Sequence, residues 1–240
     1  MKSILLTNDD GIEAEGLRVL EETLQRVAYL IVVAPDGDRS GVSHGLTVHS
    51  SPEVNEIRPD WYAVKGTPAD CVVFALRKLF VTPPDMVVSG INHGANLGDN
   101  LMYSGTVAAA REAAKNGIPA MAISQVYEDV KSLKFKNGMP YIKNLVDAMH
   151  YGVLRKELLL NVNIPPSRIR GVKITRQGFS EYPKNSTQTD RLHTWKDDIV
   201  SDHQAIKDGY ISITPLQRDQ TDYAAAKSLE REAALLFGAF

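Results

Sequence analysis

Apolar runs of strand length recur at residues 4–7, 29–34, 86–89, 120–124 and 158–162, and helical apolar spacing fills most of the gaps, at 14–27, 68–80, 106–116 and 141–152. Parallel strands need long crossover connections, usually helical, and a sheet covered on both faces is built from continuous apolar runs rather than alternating ones. The alternation therefore predicts an α/β fold with a mostly parallel sheet between helical layers. Local signals agree with it: Thr67 before Pro68 reads as a capped helix start, and Asn116-Gly117 followed by Pro119 as a helix stop. Residues 46–65 alternate enough to form an antiparallel excursion.

The character changes after Pro165-Pro166. Strands are expected at 171–176 and 210–214, but the sequence between them is polar and without clear period. Such a stretch fits a compact domain only as an arm or lid. A closing helix at 221–237, capped by Thr221-Asp222, has apolar residues at helical spacing. The expected organisation is a core over 1–165 and, over 166–240, an oligomerisation arm with a returning strand and a terminal helix. An arm of this kind predicts exchange between subunits, hence an oligomer.

Composition removes several function classes. Twenty-seven basic residues against 29 acidic ones give a formal charge of -2, with no electrostatic footprint for a nucleic-acid polymer or an anionic membrane. The single Cys71 makes neither an intrachain disulfide nor a multi-cysteine metal site. Only three apolar residues separate Met1-Lys2-Ser3 from polar sequence, too few for a signal-peptide core, so a cytoplasmic location is expected.

In open α/β sheets, ligands collect beyond the carboxyl ends of the parallel strands. Those ends here are Asn8-Asp9-Asp10-Gly11, then Ala34-Pro35-Asp36 with Arg39-Ser40-Gly41, and Ser89 to Asn96. All are rich in short-reach oxygen, as a hard divalent cation requires, and the absence of a Cys or His cluster points to Mg²⁺, Mn²⁺ or Ca²⁺ over zinc. The bland alternative for Asp9-Asp10 is a cap on the following helix, a task that needs one aspartate.

Ser104-Gly105-Thr106 opens a helix whose first acidic residue is Glu112. Two hydroxyls and an approachable backbone at a helix N-terminus suit a phosphate, although a Ser cap alone would also account for Ser104. Gly66-Thr67-Pro68-Ala69-Asp70 lacks the Lys of a Walker loop, and the first βα turn lacks the G-x-G-x-x-G of dinucleotide sites. His44 and His93 fall in polar loops near the expected site, and Tyr182 and Trp195 in the arm could stack on a base or hold a subunit contact.

Several stretches together resemble the SurE family of survival proteins, metal-dependent 5'-nucleotidases and acid phosphatases: LLTNDDGI at 5–12, VVAPDGDRSG at 32–41, VKGTPADCV at 64–72, VSGINHGANLGDN at 88–100, YSGTVAAAREA at 103–113 and IPAMAIS at 118–124. YISITPL at 210–216 and the closing helix match more loosely. The resemblance implies a Rossmann-like three-layer sandwich with a C-terminal antiparallel arm, and homodimers or tetramers joined by exchange of those arms. It implies one divalent ion per subunit, Mg²⁺ or Mn²⁺, on Asp9, Asp10, Ser40 and Asn92, and phosphate contacts from Asn96, Ser104, Gly105 and Thr106. The family's usual Gly-His-Ser stands here as Ser43-His44-Gly45, with His44 a candidate substrate contact.

The expected reaction is hydrolysis of nucleoside 5'-monophosphates, with 3'-monophosphates and short polyphosphate as extensions. Asp9, Asp10, Ser104 and Thr106 are the expected catalytic groups, Asp9 acting as base or as nucleophile. Two rival classes are a receiver-like Mg²⁺ module, which would need a phosphoacceptor Asp where the chain has Ser89-Gly90, and a nucleotide-binding module without hydrolase activity.

Overall fold

The computed structural model describes residues 2–129, 133–154, 158–166, 168–179 and 199–237. Its described strands are β1 (Ser3–Thr7), β2 (Tyr29–Pro35), β3 (Val54–Arg58), β4 (Trp61–Val64), β5 (Met86–His93), β6 (Ala120–Gln125), β7 (Leu159–Ile164), β8 (Val172–Ile174) and β9 (Ile211–Leu216). The helices are α1 (Glu15–Leu24), α2 (Pro68–Lys78), α3 (Gly105–Lys115), α4 (Met139–His150), α5 (Asp202–Lys207) and α6 (Tyr223–Phe237). One sheet holds all these strands in the order β3-β4-β2-β1-β5-β6-β7-β9-β8. From β4 to β7 neighbours run parallel; β3 is antiparallel to β4, and β9 antiparallel to β7.

Consecutive side chains of a strand point to opposite faces, and each face of this sheet is covered. Ile4 and Leu6 join Leu17 and Leu20 of α1 and Ile142 and Val146 of α4 in one core. Leu5 joins Cys71 and Val72 of α2 and Val107, Ala110 and Ala113 of α3 in the other. This two-sided burial is why Ile4-Leu5-Leu6 is apolar throughout. Cys71 is fully buried there, and desolvation pushes its thiol pKa up, which keeps it protonated.

The chain leaves β1 for β2 on one side and later returns to place β5 on the other, with Thr7 in register with Ser89. The carboxyl ends of β1 and β5 therefore flank the topological switch point, where open α/β sheets hold ligands.

Two differences from the sequence reading bear on function. β5 does not stop at Ser89 but continues to His93, because Asn92 and His93 pair with Ser124 and Gln125 of β6 after an irregularity in the ladder. The polar C-terminal stretch contains the short α5, capped by Ser201, whose side chain accepts from the Gln204 N–H. Tyr182 and Trp195, with the rest of 180–198, lie outside the described residues. The expected antiparallel excursion is the β3–β4 hairpin.

Candidate functional site

Beyond β1 the chain turns sharply. The Asn8 side chain accepts from the Gly11 N–H at 3.2 Å and donates to the Gly11 carbonyl at 2.8 Å. Gly11 has φ +101, and a Cβ there would lie 2.9 Å from the Gly37 carbonyl carbon, so a side chain is excluded twice over. The turn throws Asp9 and Asp10 over the sheet edge. Neither caps α1, whose N-cap is Ala14 with no side-chain hydrogen bond.

Asp9 is buried, and its Oδ1 accepts from the Thr106 hydroxyl at the start of α3. Burial pushes its carboxyl pKa up, opposed by the Thr106 hydroxyl and backbone N–H, and nearby Asp38 raises it further. Asp10 is pushed up to about 6, first by desolvation and then by the charge of Asp9, against the pull of His93. The His93 backbone N–H donates to Asp10 Oδ2 at 3.3 Å, and its Nδ1 lies 3.9 Å from Oδ1. Two desolvated carboxylates with only a histidine beside them form a site short of positive charge.

α3 meets this pair head-on. A Cβ on Gly105 would sit 2.9 Å from Asp9 Cβ, 3.0 Å from Asp9 Oδ2 and 3.1 Å from Pro68 Cγ, so only glycine lets the helix start come this close. Ser104 is the N-cap, accepting from the Val107 N–H at 3.1 Å, and the first turn carries no acidic residue. The positive end of the helix dipole thus faces Asp9, with the Thr106 N–H directed at its carboxylate.

The other expected residues divide. Ser40 lies in the loop after β2, where the Arg39 N–H donates to the Asp9 carbonyl at 2.7 Å. Its hydroxyl donates to Asp38 Oδ1 at 2.6 Å, which brings in a third carboxylate that the sequence reading did not single out. Asn92 turns its Nδ2 to the Gly94 carbonyl at 3.0 Å. Asn96 is buried, its Nδ2 donating to Ser124 Oγ at 2.8 Å. His44 does not face the acid pair; its Nε2 lies 3.0 Å from Glu112 Oε2, on the side of α3.

Sequence reasoning also missed the residues that hold the loops. Asn163 of β7 pairs with both backbone groups of Asn96, accepting from its N–H and donating to its carbonyl, each at 2.9 Å, and Asn161 adds a bond at 2.8 Å. Asp202 accepts from the Gly98 N–H at 2.9 Å. Asp70 takes the Thr47 N–H at 2.8 Å and the Thr47 hydroxyl at 2.7 Å, tying the loop that carries Ser40 to the start of α2. Buried Asn and Asp side chains aimed at backbone are the one signal that could have found them, and Asn161-Val162-Asn163 inside an apolar strand is such an anomaly.

The donor chemistry fits a hard dication. Asp9 and Asp10 offer carboxylates whose mutual charge a cation would compensate, and Ser40 and Asn92 offer neutral oxygens on adjoining loops. Among the described residues no three His, Cys, Asp or Glu side chains gather as a metal site, so two carboxylates and neutral oxygens would do the binding.

A family model described as "Survival protein SurE" matches residues 4–184. The chain is 40% identical over 240 residues to a protein of Syntrophotalea carbinolica named 5'-nucleotidase SurE, covering 95% of this chain and 96% of that one. A protein of Pelotomaculum thermopropionicum with the same name is 41% identical over 246 residues, covering 95% and 94%. The crystal structure titled as the Sure protein from Aquifex aeolicus superposes with a TM-score of 0.85 at 35% identity, over 96% of this chain and 99% of that one.

Proposed function

Because this chain belongs to the SurE survival-protein family, we propose that it is a metal-dependent phosphomonoesterase that hydrolyses nucleoside 5'-monophosphates. The observation that carries the reading is buried Asp9, next to Asp10 in the acidic turn, pressed against the N-terminus of α3 with no side chain at Gly105 between them. One wall attracts a cation and the other an anion. A metal phosphate is the chemistry that satisfies both.

Asp9, Asp10, Ser40 and Asn92 would hold the dication, Mg²⁺ or Mn²⁺, one per subunit. When bound, it supplies Lewis-acid polarisation of a phosphoryl oxygen and activation of water at neutral pH. The Gly105 N–H and the Ser104 hydroxyl, whose oxygen already accepts from Val107 and whose proton is therefore free to donate, seat the phosphoryl oxygens. Thr106 gives its hydroxyl to Asp9, so its part is to orient that carboxylate. Asp9 Oδ2, on the side toward Gly105, is left to take the proton of the attacking water. Asp10 acts mainly as a ligand. Asn96 orders its loop around the seat, and 3'-monophosphates and short polyphosphate extend the substrate range.

A receiver-like role is disfavoured because Ser89-Gly90 carries no carboxylate to accept a phosphoryl group and Ser89 is fully buried within β5. Self-association is proposed through the C-terminal part, 166–240, since Tyr223 and Leu229 of α6 stand exposed. Among the described residues no helix is long and apolar enough to cross a membrane. A panel of phosphomonoesters assayed with EDTA, Mg²⁺ and Mn²⁺ tests the function. Phosphate release from nucleoside 5'-monophosphates only with metal is expected, and binding without release would overturn it.

A further inference from the structure

Between β2 and β3, residues 36–53 form neither strand nor helix. A connection of that length has no hydrogen-bond ladder of its own to hold it, and Ser40, a proposed metal ligand, lies within it. Its place is set by ties to its neighbours. Before Ser40, the Arg39 N–H donates to the Asp9 carbonyl at 2.7 Å. Further on, the Thr67 hydroxyl at the start of α2 donates to the Gly45 carbonyl at 2.8 Å, and Asp70 accepts from the Thr47 N–H and hydroxyl. Between these lie two ties toward α3. The Ser43 N–H donates to the carbonyl of Tyr103, next to the Ser104 cap, at 3.0 Å, and His44 Nε2 lies 3.0 Å from Glu112 Oε2. Ser43 has φ +54, a left-handed conformation that a residue with a side chain keeps only where its surroundings impose it.

Glu112 is out of character for its helix. Ala108, Ala109, Ala110, Ala113 and Ala114 are small and buried, and the Glu112 carboxylate is buried with them, its side chain 4% exposed. A buried carboxylate is costly unless it is paired. Lys115 at 3.2 Å and Asn116 at 3.5 Å belong to its own helix and fix nothing outside it. Among the described residues, His44 is the one group from another element that hydrogen-bonds to this carboxylate, and the bond is the one side-chain tie between the Ser40 loop and α3. Glu112 lies seven positions after Gly105, about 10 Å along the helix axis.

We infer that Glu112 is a positioning residue: by holding His44 it clamps the Ser40 loop to α3 and fixes the metal side of the site against the phosphate seat at Ser104 and Gly105. One rigid helix carries the seat at its start and the clamp two turns later, so the two sides share a frame. His44 serves the site through Glu112, without touching the substrate. The inference rests on the metal-phosphate reading of the acid pair.

The test compares wild type, His44→Ala, Glu112→Ala, the double variant and Glu112→Gln, whose amide oxygen still accepts from a His44 N–H. Amide hydrogen exchange over residues 39–47 is read on metal-free protein, Mn²⁺ affinity by titration, and kcat and KM for AMP at saturating Mn²⁺. Each alanine variant should speed exchange in this loop about tenfold and weaken Mn²⁺ binding about tenfold or more, as loss of a group that orients a metal ligand does. With Mn²⁺ saturating, kcat should change little. The double variant should be no worse than either single one, and Glu112→Gln should stay near wild type. His44→Ala, a change in a loop, decides the matter even if Glu112→Ala fails to fold. A fall in kcat for His44→Ala with normal behaviour of Glu112→Ala would make His44 a substrate contact and overturn the inference. Wild-type exchange and Mn²⁺ affinity in the single variants, or losses that add in the double variant, would overturn it too. A wild type that bound no Mn²⁺ would overturn the acid-pair reading and the clamp's role with it. Mn²⁺ binding without turnover would overturn only the phosphomonoesterase reading, with exchange and affinity still deciding for or against the clamp.

Discussion

Gly105→Ala adds one methyl group at the closest approach of α3 to Asp9, and its cost can be worked from the contacts. The new carbon would lie 2.9, 3.0 and 3.1 Å from Asp9 Cβ, Asp9 Oδ2 and Pro68 Cγ. Carbon neighbours settle at about 3.5–4.0 Å, so the helix start must retreat by about half an ångström to one ångström. Rotation offers little relief, because Asp9 Cβ is fixed to a buried strand end and Pro68 opens α2. Overpacking of this kind costs about 1–3 kcal/mol. Replacing a helical glycine returns about 0.4–1 kcal/mol through the unfolded chain. The net loss of stability is thus about 0–2.5 kcal/mol, and the fold survives. Activity is more sensitive, since a displacement near 1 Å costs about 100-fold. The expected result is a Tm within several degrees of wild type and a fall of about two orders of magnitude in kcat/KM for AMP with Mn²⁺. Gly37→Ala is the control, because its Cβ would meet nothing within 4 Å. If Gly105→Ala kept near-normal kcat/KM, the acid pair and the start of α3 would not form one site.

Asp9→Ala should lower turnover with Mg²⁺ or Mn²⁺ by at least about 100-fold, roughly 3 kcal/mol of barrier, and steady-state phosphate release checks it. Asn163→Leu removes the paired bonds that fix Asn96, and although Asn161 still serves the Asn96 carbonyl, the buried N–H is left unpaired, at about 1–3 kcal/mol. It should raise KM for AMP while metal affinity, read by titration, stays within about threefold. The acid pair also sets a pH dependence. Asp9 and Asp10 have raised pKa values, Asp10 about 6, so the metal-free fold holds these protons more tightly than the unfolded chain does. The contribution of Asp10 to stability is present below about pH 4 and is lost as pH rises through about 6, and that of Asp9 is lost in the same direction. Metal must displace the protons, so affinity should weaken about tenfold per pH unit below 6 for each proton displaced. The increase in Tm on adding Mn²⁺ should therefore grow from pH 5 to pH 7, and a flat profile would refute it.

What the sequence determined by itself is local. The apolar run Ile4-Leu5-Leu6 dictated a strand buried on both faces, and Asn8-Asp9-Asp10-Gly11 dictated that it end in a tight acidic turn. Thr67-Pro68 spelled a capped helix start, which the structure forms as a capping box, with Thr67 and Asp70 each bonding the other's backbone. Ser104 was readable as a cap, because a hydroxyl one residue before a helix meets an N–H three residues on. α5 escaped notice because its six residues hold less than two turns and show no period. The tertiary structure alone decided that Asp9 meets Thr106 and that β5 runs on to His93. It alone turned His44 to Glu112 and sent Asn163 to the backbone of Asn96. These contacts follow from strand order and from burial of both sheet faces, and side-chain spacing along the chain does not encode which distant neighbours a sheet will bring together.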